Sequence, residues 1–148
     1  MSLVLALESV ALIAASIYAG AAYYIATVEQ PSRLGAPRGF DLELWQRAND
    51  RAPRYAASAL VGAAAALLVA WQARKGWPWA LGAVLLLAVL PWTVLTMLPI
   101  QRRLGATQSA GADTEARLLV ERWGHLHLGR VALGVCALAL FLGAVLLP

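Results

Sequence analysis

The stretch "LHLGRVALGVCALALFLGAVLL", residues 126–147, decides the fold. Apart from Arg130 and His127 near its start it holds only apolar or small residues, and a helix needs about 20 such residues to cross ~30 Å of hydrocarbon at 1.5 Å per residue. Three further runs of this kind occupy 3–28, 55–73 and 79–98. The 148-residue chain is 61% hydrophobic and 14% charged, whereas a soluble domain carries about 25% charged residues. The expectation is an all-α integral membrane four-helix bundle forming one transmembrane domain over 1–148. Its helices span about 3–28, 55–73, 79–98 and 114–147, and its two long loops about 29–54 and 99–124. The fourth helix starts inside its loop, because nothing between Thr114 and the apolar run breaks a helix.

The first run has no basic residue before it and exceeds the ~7–15 residues of a signal peptide's apolar core, so it reads as a retained helix. Cys136, the single cysteine, lies inside the fourth run and excludes an intramolecular disulfide framework. The first long loop carries Arg33, Arg38, Arg47, Arg51 and Arg54, and the second Arg102, Arg103, Arg117 and Arg122. The opposite side has Arg74 and Lys75. Both long loops are therefore expected in the cytoplasm and both termini outside. The net charge of +4 is mostly this topology signal: Glu29, Asp41, Glu43, Asp50, Glu115 and Glu121 interleave with the arginines, which argues against nucleic-acid binding.

"ARKGWPWA" (73–80) reads as a tight turn, with Trp71, Trp77 and Trp79 at the depth of an aromatic belt. The long loops differ in character. "GFDLELWQRANDRAP" (39–53) predicts an interfacial helix capped by Asp41, with Phe40, Leu44 and Ala48 on its apolar face and Pro53 opening the second membrane helix. Asp113 is placed as cap of the fourth. Helix one exits with "EQPSRL" and helix three with "LPIQRRL", and each exit leads to a Trp (Trp45, Trp123), arginines and an apolar helix. Two parallel helical-hairpin repeats, and the habit of ending membrane helices with Pro and Arg, account for this echo equally well.

Trp123, His127 and Arg130, spaced by four and three, share one helix face, while His125 points elsewhere. Arg130 stands about one turn inside the membrane boundary, where a charge snorkels, pairs or faces the bundle interior; a histidine there is also commonly satisfied by a carbonyl. On the same rim Glu29 ends helix one beside Tyr23, Tyr24 and Thr27, and Gln101 ends helix three below Thr93 and Thr96. Pro91 leaves the Leu87 carbonyl without its usual partner and is expected to open space beside Trp92. A pocket of Trp, Tyr and Thr with His, Arg, Glu and Gln at its mouth suits a flat aromatic ligand bearing oxygen. Glu8, nearer the other end of helix one, stands apart as an interfacial carboxylate.

"VEQPSRL", the loop Trp, "TMLPIQRRL" and "WGHLHLGR" together resemble the anthrone oxygenase-like family, small four-helix membrane proteins whose bacterial members mostly have no assigned function. The resemblance spans essentially the whole chain and implies a bacterial inner-membrane location. By position it singles out Glu29, Pro31, Trp45, Pro99, Gln101, Leu104, Trp123, His127 and Arg130. Gln101 stands where the family usually has Asn, which keeps the amide and moves it by one methylene.

The resemblance implies oxidation of an anthrone-type aromatic to an anthraquinone by O2 without metal or other cofactor. Loss of a proton from the methylene between the two rings gives an aromatic anthrolate that passes an electron to oxygen. His127 fits the base, Arg130 the cation that holds the oxyanion, and Glu29 the partner that fixes the histidine tautomer. Trp123 and Trp45 fit as stacking surfaces, with Gln101, Tyr24, Thr96 and Trp92 completing the substrate site. A metal site from His127 and Glu29 with His125 or Glu121 is the rival within the enzyme class. Histidines two apart chelate poorly from one helix, no twin Glu-x-x-His pattern exists, and bis-histidine haem lacks a second His on another helix. The alternative class is a non-catalytic membrane module: a small-molecule binder, transporter component or accessory subunit. "GAAAA" and "YAGAAYY" favour close packing or a homo-oligomer, and no mid-membrane Lys or Asp points to transport.

Overall fold

Pro31 and Pro99 shape the helices that position the site. Each lacks an N–H and crowds the carbonyl four residues earlier, and in the computed structural model, which describes residues 2–36, 41–72, 76–106 and 113–147, a π turn relieves each clash. Helix α1 (Leu3–Tyr24) passes through the π turn Ile25–Glu29 into α2 (Gln30–Leu34). The amide of Gln30 there donates to the Ile25 carbonyl, five residues back. Helix α5 (Trp77–Trp92) likewise passes through the π turn Thr93–Met97 into α6 (Leu98–Ala106), and the Leu98 amide donates to the Thr93 carbonyl. The echo between the two exits thus extends to backbone geometry.

Between these rods lie α3 (Leu42–Arg51), α4 (Pro53–Gln72) and the long α7 (Asp113–Leu146). Four segments, Leu3–Leu34, Leu42–Gln72, Trp77–Ala106 and Thr114–Leu146, are long and apolar enough to cross a membrane. The expected all-α membrane fold is borne out. α1 packs on α4, α4 on α5, α5 on α7 and α7 on α1, closing a four-helix ring of two sequential hairpins.

The stretches expected to be long loops are largely helical. Helix α3 begins at its Asp41 cap, whose Oδ1 accepts from the Leu44 amide at 2.9 Å. Its buried face differs from the expected one: Leu42 and Trp45 face inward, Leu44 is exposed and Ala48 only half-buried. Arg38, Phe40, Arg74, Lys75 and the Asp113 side chain lie outside the described residues.

Two apolar cores fill the ring. The larger is alanine-rich (Ala11, Ala15, Ala59, Ala63, Ala66, Ala83, Ala137) and includes Tyr18, Leu86 and a stacked Trp79–Phe141 pair. The smaller, under α3 at the arginine-rich end, holds Leu42, Trp45, Met97, Ile100, Leu104, Val120 and Trp123. The buried polar residues His127 and Arg130 sit on α7 between Trp123 and Ala137, where one core gives way to the other, and Gln30 joins them from α2.

Candidate functional site

Period-3.6 spacing brings Trp123, His127 and Arg130 to one inward face of α7, and all three are buried. His127 is 0% exposed and its ring stacks on Trp123 with centroids 4.9 Å apart. Its Nε2 lies 3.1 Å from the carbonyl of Ala22 on α1. A carbonyl only accepts, so Nε2 carries the proton and Nδ1 is a bare lone pair, with no hydrogen-bond partner among the described residues. The tautomer is therefore set by Ala22 and not by Glu29, whose carboxylate is paired with Arg33 one turn on.

Arg130 is 4% exposed, so it does not snorkel. Its Nε donates to the Tyr18 hydroxyl at 3.2 Å, and its guanidinium lies over the Tyr55 ring at 5.4 Å, while the two tyrosines stack at 5.9 Å. Gly134, one turn further along α7, makes room for this: a Cβ there would stand 2.9 Å from the Tyr18 ring. The ion pairs among the described residues are Glu29–Arg33, Glu43–Arg47 and Glu121–Arg117, and none includes Arg130.

Arg130 lines a cavity of about 400 Å³ between α4 and α5. The other walls are mostly apolar (Ala56, Ala59, Leu60, Leu86, Val89, Leu90), with Asn49, Asp50 and Gln101 at the arginine-rich end. The Gln101 amide donates to Asn49 Oδ1 at 3.0 Å, tying α6 to α3. A second cavity of about 30 Å³ is lined by Glu29, Arg33, Tyr55 and Trp123, and shares Asn49 and Ala52 with the first.

Of the expected substrate contacts, Gln101 lines the large cavity and Trp123 the small one. Trp45 is buried edge-on against Trp123 at 5.4 Å and lines neither. Tyr24 is 56% exposed on the outer face, and Thr96 donates to the carbonyl of Trp92. The space expected beside Trp92 is filled: its indole lies where a Cβ on Gly129 would stand 2.3 Å away, and its Nε1 donates to the Leu126 carbonyl at 3.0 Å. His127 lines neither cavity. His125 is exposed, with Nδ1 3.0 Å from the Glu121 carbonyl, and among the described residues no three His, Cys, Asp or Glu side chains gather.

Sequence reasoning passed over Tyr18, Tyr55, Asn49 and Gln30. Tyr18 was signalled by its place in the stripe Ala11, Ala15, Tyr18, Ala22, an inward face of small residues broken by one phenol. Gln30 donates from Nε2 to the Val120 carbonyl at 2.8 Å, and its Oε1 and the Trp123 Nε1 are buried without partners among the described residues.

No curated protein and no solved structure matches the chain. The anthrone oxygenase family matches over residues 43–140, well over half of the sequence. That segment contains Asn49, Gln101 and Arg130 of the large cavity, Tyr55 and Trp123 of the small one, and His127 of the stripe beside them, and the chain belongs to the anthrone oxygenase family.

Proposed function

We propose that this protein oxidises a hydrophobic aromatic of the anthrone type with O2 inside the membrane, at the 400 Å³ cavity. One observation carries the reading: Arg130 is a buried guanidinium with no carboxylate partner among the described residues, set in the wall of a largely apolar cavity. A buried charge is costly unless compensated, and a substrate that becomes anionic during the reaction compensates it at the moment of need.

In this reading the substrate's carbonyl oxygen faces Arg130, and the amides of Asn49 and Gln101 meet oxygens at the other end. A proton leaves the methylene for His127 Nδ1, and the anthrolate gives one electron to O2. The resulting radical and superoxide join through a new C–O bond, and a second proton leaves the same carbon as the O–O bond breaks. The carbonyl of the quinone and one water result, so both oxygen atoms and both hydrogens are accounted for. His127 lies behind Trp123, so the reading requires the indole to turn and join the two cavities that Asn49 and Ala52 already share.

The test is oxygen uptake by the purified protein with anthrone. Quinone formation with one O2 consumed per quinone, lost in Arg130→Met, is the expected result. Consumption at the uncatalysed rate overturns it. The seclusion of His127 from the cavity favours a second reading, a non-catalytic binder of the same aromatic. That reading predicts saturable binding of anthrone with no turnover.

A further inference from the structure

A cavity within a membrane protein can be reached from water at the rim or from the hydrocarbon at its side, and this one is built differently at the two places. At the arginine-rich rim, where Asp50 and Pro53 line the cavity and are exposed, α3 is tied to α6 twice. Gln101 on α6 donates to Asn49 Oδ1 at 3.0 Å, and Gln46 Nε2 donates to the Leu104 carbonyl at 2.8 Å. At the side, Leu60 of α4, Leu90 of α5 and Val94 of the following π turn line the cavity and are also 43%, 46% and 55% exposed on the outer surface. The same three side chains thus form both its wall and the lipid-facing seam between two helices. Leu60 stands seven residues into α4, about 10 Å below the helix start at 1.5 Å per residue, at a depth where hydrocarbon surrounds the bundle.

The interior selects what can stay. Most of the lining is apolar, with Arg130 at the inner wall keeping guanidinium donors beyond the Nε that Tyr18 takes. An uncharged hydrocarbon leaves that cation uncompensated. A strongly charged molecule does not dissolve in the bilayer from which the seam opens. A flat apolar body with one weakly acidic oxygen satisfies both conditions, being neutral in lipid and able to share or give up its proton beside the guanidinium.

We infer that the cavity is loaded sideways from the bilayer through the Leu60, Leu90 and Val94 seam. This rests on the cavity being the substrate site, and is independent of whether oxidation follows.

The experiment places the protein in phosphatidylcholine vesicles and follows energy transfer from its tryptophans to 1-hydroxypyrene, with pyrene as the oxygen-free control. Saturable transfer to 1-hydroxypyrene and not to pyrene is expected, and its loss in Arg130→Met. Leu60→Phe and Val94→Phe narrow the seam and are expected to slow association about tenfold, Leu60→Ala to speed it, and Gln46→Ala, which unties the rim, to leave it within about twofold. Leu60→Ala keeps the test informative where a bulky variant fails to fold. Unchanged rates in the seam variants, or faster association in Gln46→Ala, overturn lateral loading. Capture of 1-hydroxypyrene together with inert anthrone leaves this inference standing and removes the oxygenase reading.

Discussion

The two cores of the bundle solve the packing problem by opposite means. In the alanine-rich core, helices approach closely because most of the facing side chains are methyl groups, with glycine making room for the few large rings. Ala15, Ala63, Ala66 and Ala83 are buried, and the Phe141 ring lies where a Cβ on Gly82 would stand 2.3 Å away. In lipid, where burying apolar surface gains little, such close van der Waals contact holds helices together. Toward the arginine-rich end the bundle keeps large rings and buried polar groups, and the unpartnered atoms Gln30 Oε1, Trp123 Nε1 and His127 Nδ1 all lie there. Buried polar atoms without partners cost stability, so one region is built for cohesion and the other keeps polar groups at the expense of cohesion.

Substitutions should separate these two designs. Arg130→Met is expected to lower anthrone-dependent oxygen uptake about 10²–10³-fold, as for loss of one oxyanion donor, while the melting temperature holds or rises because a buried unpaired charge is removed. A steep loss of stability would mean that Arg130 is structural and the contrast false. His127→Ala should cost about 10²-fold in turnover, with Kd for 1-hydroxypyrene little changed because His127 does not line the cavity. Gly82→Ala tests the other region: overpacking against Phe141 should destabilise by about 1–3 kcal/mol in thermal or denaturant unfolding, with turnover per folded molecule unaltered. Smallest of all, Glu43→Gln breaks an exposed pair with Arg47 and should shift stability by less than about 0.5 kcal/mol and activity not at all.

The misplaced rim residues share one cause. Continuing a regular helix from Ala22 puts Glu29, two turns on, at the next inward position, and from Val89 it puts Thr96 there. Each π turn inserts one extra residue, so Gln30 and Met97 take those places and are buried, while Glu29 and Thr96 are left only half-buried. The prolines that provoke the turns were legible, but a proline equally kinks or ends a helix, and hydropathy does not distinguish these responses. Arg130 was legible as costly, and its partner Tyr18 was not, because the two are 112 residues apart.

The sequence alone determined that four helices cross the membrane and that Trp123, His127 and Arg130 share one stripe. Both are local properties: a backbone in hydrocarbon must satisfy its own hydrogen bonds as helix, and a helix repeats every 3.6 residues. Tertiary structure decided what that stripe faces. Ala22 holds one nitrogen of His127, Tyr18 and Tyr55 surround Arg130, and Asn49 meets Gln101 over a cavity that opens between α4 and α5. These partners come from segments 52 to 112 residues distant, and packing of whole helices, rather than any short-range pattern, brings them together.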